Sequence, residues 1–273
     1  MEIGNWLTRV QNERPLVHNI TNLVVTNTAA NALLSVGGSP VMAYAHEEVA
    51  DMARIARALS LNMGTLDPNV VTAMRLAGKS ANNAGIPVIL DPVGVGATPY
   101  RTSVATQLAS ELQLTVLRGN AGEIGLMVGA GGQVVGVDSS GSSNTLPIHM
   151  WEYARAHGTV VVATGEQDLV TDGQHMWKLG NGHPLLAIIT GSGCSLTAIL
   201  GAFIGVVERG SGLHVYAEAT ISAITCLNVA GEIAAETAHG PGTFQAALFD
   251  ALYGLTEAQV NSRAKVELME VNA

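Results

Sequence analysis

A chain of 273 residues is long enough to bury a large core, and no Pro/Ser-rich or strongly charged linker divides it, so one domain over residues 1–273 is expected. With 48% hydrophobic residues, 13% charged residues and 31 glycines, the composition fits an α/β enzyme with covered sheets and excludes a disordered or fibrous chain. The formal net charge of -9, with no Lys/Arg cluster against it, argues against nucleic acid and anionic membrane as partners.

In chain order, the opening MEIGNWLTRVQNERP lacks a basic region followed by an apolar core, so it reads as a first helix and not as an export signal. Short β-rich runs then alternate with longer helical patterns. Pro15–Thr21, Pro40–Tyr44, Leu59–Met63, Val88–Val93, Thr115–Arg118 and Val160–Thr164 read as strands. The alternation predicts an α/β fold with a mainly parallel central sheet and helices on both faces. Ile86 to Leu90, apolar throughout, has the character of a strand covered on both sides. Within Asp168–Gly180 the turn Thr171-Asp172-Gly173-Gln174 separates two β-like runs, which predicts a hairpin extending the sheet antiparallel. From Gly193 to the end only helices are expected. The longest apolar run, Leu196 to Val207, is too short to cross a bilayer and is interrupted by Gly201 and Gly205, as suits a buried helix. Two cysteines, Cys194 and Cys226, give neither a disulfide framework nor metal-ligand spacing, which fits a reducing cytoplasm. The eight histidines lack HxxxH or HxH spacing, so no zinc or iron site is expected.

Open α/β sheets bind ligands beyond the carboxyl ends of their strands. Asn19 and Asn22 follow the first strand, Asp91 the fourth, Arg118-Gly119-Asn120 with Glu123 the fifth, and Thr164-Gly165-Glu166 the sixth. Thr190-Gly191-Ser192-Gly193-Cys194-Ser195 is a glycine turn feeding an apolar helix, whose first N–H groups and dipole favour an anion such as a transferring phosphoryl group. The same turn is equally a plain glycine-rich connection beside a buried cysteine. At a helix start the thiolate of Cys194 is favoured, so a base or hydroxyl-orienting role is chemically open. Neither GxGxxG nor GxxxxGK[ST] occurs, so a kinase with this sequence is not of the P-loop type. Asp91 and Glu123 offer hard oxygen ligands suited to Mg²⁺, though Asp91 before Pro92 is also a turn former and Glu123 also a capping residue of the next helix. Arg118 suits nucleotide phosphates. Met42, at the end of an apolar strand, could line a pocket for a small ring or simply join the core.

Taken together these segments resemble the hydroxyethylthiazole kinases of the ribokinase-like superfamily. The resemblance runs almost end to end and is carried by Pro15 to Asn22, Ser39 to Ala43, Leu90 to Gly94, Arg118 to Ile124, Ala163 to Glu166 and Thr190 to Cys194, with Gly240-Pro241-Gly242-Thr243-Phe244 as a further shared block. It implies transfer of the γ-phosphate of ATP, with Mg²⁺, to the hydroxyl of 5-(2-hydroxyethyl)-4-methylthiazole. Met42, Gly191 and Asn22 then fall at thiazole-contacting positions, Arg118 and Thr164 at ATP-contacting positions, Asp91 and Glu123 around the metal, and Gly191, Gly193 and Cys194 at the catalytic turn. The resemblance also implies a homotrimer with its active site at the subunit interface. Wider relatives place an Asp in the glycine turn where this chain has Cys194. A related kinase acting on a pyrimidine, pyridoxal or a sugar alcohol is the alternative enzyme, and a sensor that keeps the pocket without catalysis is the alternative of another class.

Overall fold

The computed structural model describes residues 2–131 and 145–270. Nine strands form one sheet: β1 (Leu16–Ile20), β2 (Ser39–Val41), β3 (Ala58–Asn62), β4 (Val88–Asp91), β5 (Val116–Asn120), β6 (Val160–Thr164), β7 (Asp168–Thr171), β8 (Met176–Leu179) and β9 (Val266–Met269), in the order β2-β1-β3-β4-β5-β6-β7-β8-β9. The strands from β2 to β6 run parallel, and β7, β8 and β9 continue antiparallel. The parallel sheet and the Asp168–Gly180 hairpin agree with the sequence. The final strand does not: β9 pairs with β8 in a tail expected to be wholly helical. Its four residues are too few for a periodic signal, and only the exposed edge of β8 recruits them.

Helices α1 (Ile3–Glu13), α2 (Thr26–Ser35), α3 (Val49–Ile55), α4 (Pro68–Asn83), α5 (Pro99–Glu111), α6 (Ala121–Met127), α7 (Leu146–His157), α8 (Ser192–Gly205), α9 (Leu213–Ala235), α10 (Pro241–Tyr253) and α11 (Glu257–Arg263) cover both faces. Side chains alternate across a strand, so the strands inside the sheet feed two cores. Val17, Ile89, Val116, Val160 and Val162 join α1, α2, α8, α9 and α10 on one face. Ile20, Leu59, Leu61, Leu90, Leu117 and Val161 join α3, α4, α5 and α7 on the other. Local signals start several helices: Asp67 and Thr98 cap α4 and α5 ahead of Pro68 and Pro99, and Asn120 with Glu123 forms a capping box on α6. Pro241 likewise opens α10 and Phe244 is fully buried, which gives the shared Gly240–Phe244 block a packing role. Among the described residues no helix is long and apolar enough to cross a membrane.

Candidate active site

The two-residue period of the strands decides which polar groups meet. Ile89, Val116 and Val162 face the core under α8, so Asp91, Arg118 and Thr164, each two residues further on, face the same way. The parallel register sets Asn62 opposite Asp91, and Thr164 opposite Asn120. The first turn of α8 closes over this row. Six strand ends and loops thereby deliver Asn22, Asn62, Asp91, Arg118, Thr164 and Cys194 to one place.

Asp91 is 1% exposed, and its Oδ2 accepts hydrogen bonds from Asn62 Nδ2 at 2.7 Å, Thr197 Oγ1 at 2.6 Å and Arg118 Nη1 at 3.3 Å. Its Oδ1 is buried with no hydrogen-bond partner among the described residues. Burial pushes the Asp91 carboxyl up, against Arg118, Thr197 and Asn62, which favour the charged form. Glu123 is pushed up by burial and by the neighbouring Asp91, and is opposed by the Gly94 and Asn120 N–H groups that donate to Oε1 at 2.7 Å and Oε2 at 2.9 Å. The capping reading of Glu123 holds, and the same carboxylate lies beside Asp91.

Arg118 also donates from Nη1 to the Gly193 carbonyl at 3.0 Å and from Nη2 to Thr164 Oγ1 at 2.8 Å. The guanidinium thus lies beneath the glycine turn. A Cβ on Gly193 would stand 3.1 Å from both Nη atoms, and one on Gly191 would stand 2.5 Å from Val25 Cγ1 at φ 85°, a left-handed conformation that favours glycine. Gly191 supplies no side-chain cap to α8, so no cap side chain occupies the N–H groups of that first turn.

Cys194 accepts a hydrogen bond from Asn22 Nδ2 at 3.3 Å. Burial pushes its thiol up to about 11, reinforced by the charge of Asp91 and opposed by Arg118, Asn62 and Asn22. This corrects the expectation that the helix start favours a thiolate, because desolvation and a nearby carboxylate outweigh the dipole. Asn22 further donates to Asn62 Oδ1 at 2.8 Å.

Two expected residues stand apart. Asn19 lies within β1, fully buried, with Nδ2 on the Val17 carbonyl, and Glu166 is exposed on the turn after β6. Met42 is half-buried just past the short edge strand β2, on a loop held by His18 Nε2 on the Ala43 carbonyl at 2.8 Å and by Tyr44 Oη donating to the Thr21 carbonyl at 3.0 Å. Sequence reading missed Asn62 and Thr197. Asn62 ends a strand and satisfies the strand-end criterion, and Thr197 lies one helical turn beyond Gly193, on the same side of α8.

The profile of the hydroxyethylthiazole kinase family matches residues 7–258. A hydroxyethylthiazole kinase of Moorella thermoacetica is 50% identical over 268 residues, covering 98% of each chain. The solved structure of a hydroxyethylthiazole kinase protein from Pyrococcus horikoshii OT3 superposes with a TM-score of 0.88 at 42% identity, over 98% of this chain and 99% of that one. A ribokinase-like superfamily protein of Enterococcus faecalis shares the fold at a TM-score of 0.62 and 13% identity, over 90% and 88% of the two chains. The profile spans most of the chain and half the aligned residues of a relative match along nearly its whole length, so the chain belongs to the hydroxyethylthiazole kinase family, with a ribokinase-like fold.

Proposed function

We propose that the chain transfers the γ-phosphoryl group of ATP to the hydroxyl of 5-(2-hydroxyethyl)-4-methylthiazole, in thiamine biosynthesis. The alcohol oxygen forms the new P–O bond, the bond between the γ-phosphorus and the bridging oxygen breaks, ADP leaves, and the hydroxyl proton is released. The observation that carries this reading is the juxtaposition of Asp91, Arg118 and the uncapped first turn of α8 around Cys194. Phosphoryl transfer depends on positioning and charge stabilisation, and this set supplies a fixed cation beneath a row of free N–H groups.

Mg²⁺ fits the donor set. The unpartnered Oδ1 of Asp91 is a hard oxygen ligand, and Glu123 retains lone pairs beside its two accepted N–H bonds. Mg²⁺ bound there would neutralise charge on the transferring phosphates. Arg118 and Thr164 are the residues assigned to ATP, with Arg118 holding the glycine turn in place at the same time. Asn22, Met42 and Gly191 are assigned to the thiazole, and Cys194 stands at the catalytic turn as a neutral thiol. Leu23 and Val24, 76% and 72% exposed, follow Asn22, and Ile188, 64% exposed, precedes Gly191. Apolar exposure flanking the site supports its being covered by a second subunit, as in a homotrimer with interfacial active sites.

A coupled ADP-release assay tests the function. Release on adding the thiazole alcohol, dependent on Mg²⁺, is the expected result. No release would favour a non-catalytic sensor, and faster phosphorylation of hydroxymethylpyrimidine or pyridoxal would sink the thiazole assignment.

A further inference from the structure

Asn62 is 1% exposed and lies between Asn22 and Asp91. It ends β3 opposite Asp91, and both polar atoms of its side chain are engaged. Nδ2 donates to Asp91 Oδ2 at 2.7 Å, while Oδ1 accepts from the Gly64 N–H at 3.0 Å and from Asn22 Nδ2 at 2.8 Å. Backbone chemistry fixes which way round the amide sits. A backbone N–H only donates, so Oδ1 must face Gly64, and Nδ2 is left for the carboxylate.

The same reasoning fixes Asn22. Its Oδ1 accepts from the Val24 N–H at 3.2 Å, so its Nδ2 faces Asn62 and Cys194 Sγ. The two amides form a one-way ladder from Asn22 through Asn62 to Asp91, each pinned by an N–H of the loop that follows its own strand. At one end the sulfur of Cys194 is met by a donor, so its own hydrogen points elsewhere. At the other end Oδ2 of Asp91 is filled by donors, so Oδ1 is the oxygen left for the reaction.

We propose that Asn62 is a positioning residue for phosphoryl transfer, locking the Asp91 carboxylate and, through Asn22, the Cys194 sulfur into one rigid frame. The inference rests on the kinase reading above. Its physical basis is that transfer demands a near-attack arrangement of acceptor and phosphate, and the ladder spans the boundary between those two halves of the site. Asn62 is assigned no contact with either substrate, so it acts on turnover more than on binding.

The variants Asn62→Ala and Asn62→Asp test this. The first removes the amide; the second keeps its shape and the acceptor for Gly64 but replaces the donor that faces Asp91. Each is expected to lower kcat by about 30- to 100-fold, with both KM values within about threefold and melting close to the parent. A second readout does not depend on turnover. Iodoacetamide labelling of Cys194 in the ligand-free Asn62→Ala protein, followed by mass spectrometry, is expected to speed up by about threefold or more as Asn22 loses its anchor, with the fully buried Cys226 as internal reference. A merely structural role would lower the melting temperature without splitting kcat from KM. If Asn62→Ala fails to fold, Asn62→Asp decides. A natively folded variant with kcat within threefold of the parent overturns the proposal. Absence of ADP release by the parent protein would instead overturn the kinase reading, and unchanged labelling of Cys194 would still count against the ladder.

Discussion

Two effects compete at the sulfur of Cys194. The dipole of α8 favours a thiolate by about 0.3–1 kcal/mol. Burial and the charge of Asp91 move the thiol from 9.0 to about 11, which corresponds to on the order of 3 kcal/mol against the thiolate, so the neutral form wins. At pH 7 the thiol is therefore overwhelmingly neutral. Labelling of Cys194 in the free protein should therefore keep rising through pH 10 without a plateau. A plateau by pH 8 would overturn the buried-thiol account. Because a thiol so seldom ionised is a poor base at neutral pH, Cys194→Ser is expected to lower kcat by less than about tenfold. Complete loss of turnover with intact folding would make the sulfur the proton acceptor. The sequence revealed the position of Cys194 but not its protonation, since Asp91 lies far away in the chain and meets it only in the fold.

The glycine turn and helix α8 act as one element. Gly191 adopts φ 85° against Val25, and Gly193 places its carbonyl on Arg118, so the direction of the first turn is fixed by two tight approaches. Gly191→Ala is expected to cost about 1–3 kcal/mol of stability from left-handed strain. It should also lower kcat/KM by about 100-fold or more, because the first-turn N–H groups would be re-aimed. Steady-state kinetics beside thermal melting separates the two, and a loss of stability with unchanged kinetics would contradict the anion-site role. The turn itself was legible from two glycines before an apolar run. That Arg118 braces it from below was not, because the contact joins residues 75 apart in the chain and exists only once α8 packs over the end of β5.

For the whole molecule, the exposed apolar residues around the site carry the prediction. On the proposed homotrimer, Leu23→Glu is expected to give a particle smaller than three chains in light scattering, and to raise KM for the thiazole alcohol by about tenfold or more if the site is completed by a neighbouring subunit. An unchanged particle with an unchanged KM would remove Leu23 from the interface. The sequence by itself determined the α/β class, the parallel strands, the hairpin after β6 and most residues at the strand ends, because hydrophobic period and turn chemistry are local properties. It did not determine β9, whose four residues form a strand only beside β8. Nor did it determine the partners of Asp91, because Asn62, Arg118 and Thr197 are brought to one oxygen by sheet register and helix packing across a separation of up to 106 residues. The glycine turn and its cysteine were visible as motifs, whereas the neutral thiol, the free oxygen of Asp91 and the amide ladder joining them arise from desolvation and non-local hydrogen bonding, which exist only once the chain has folded.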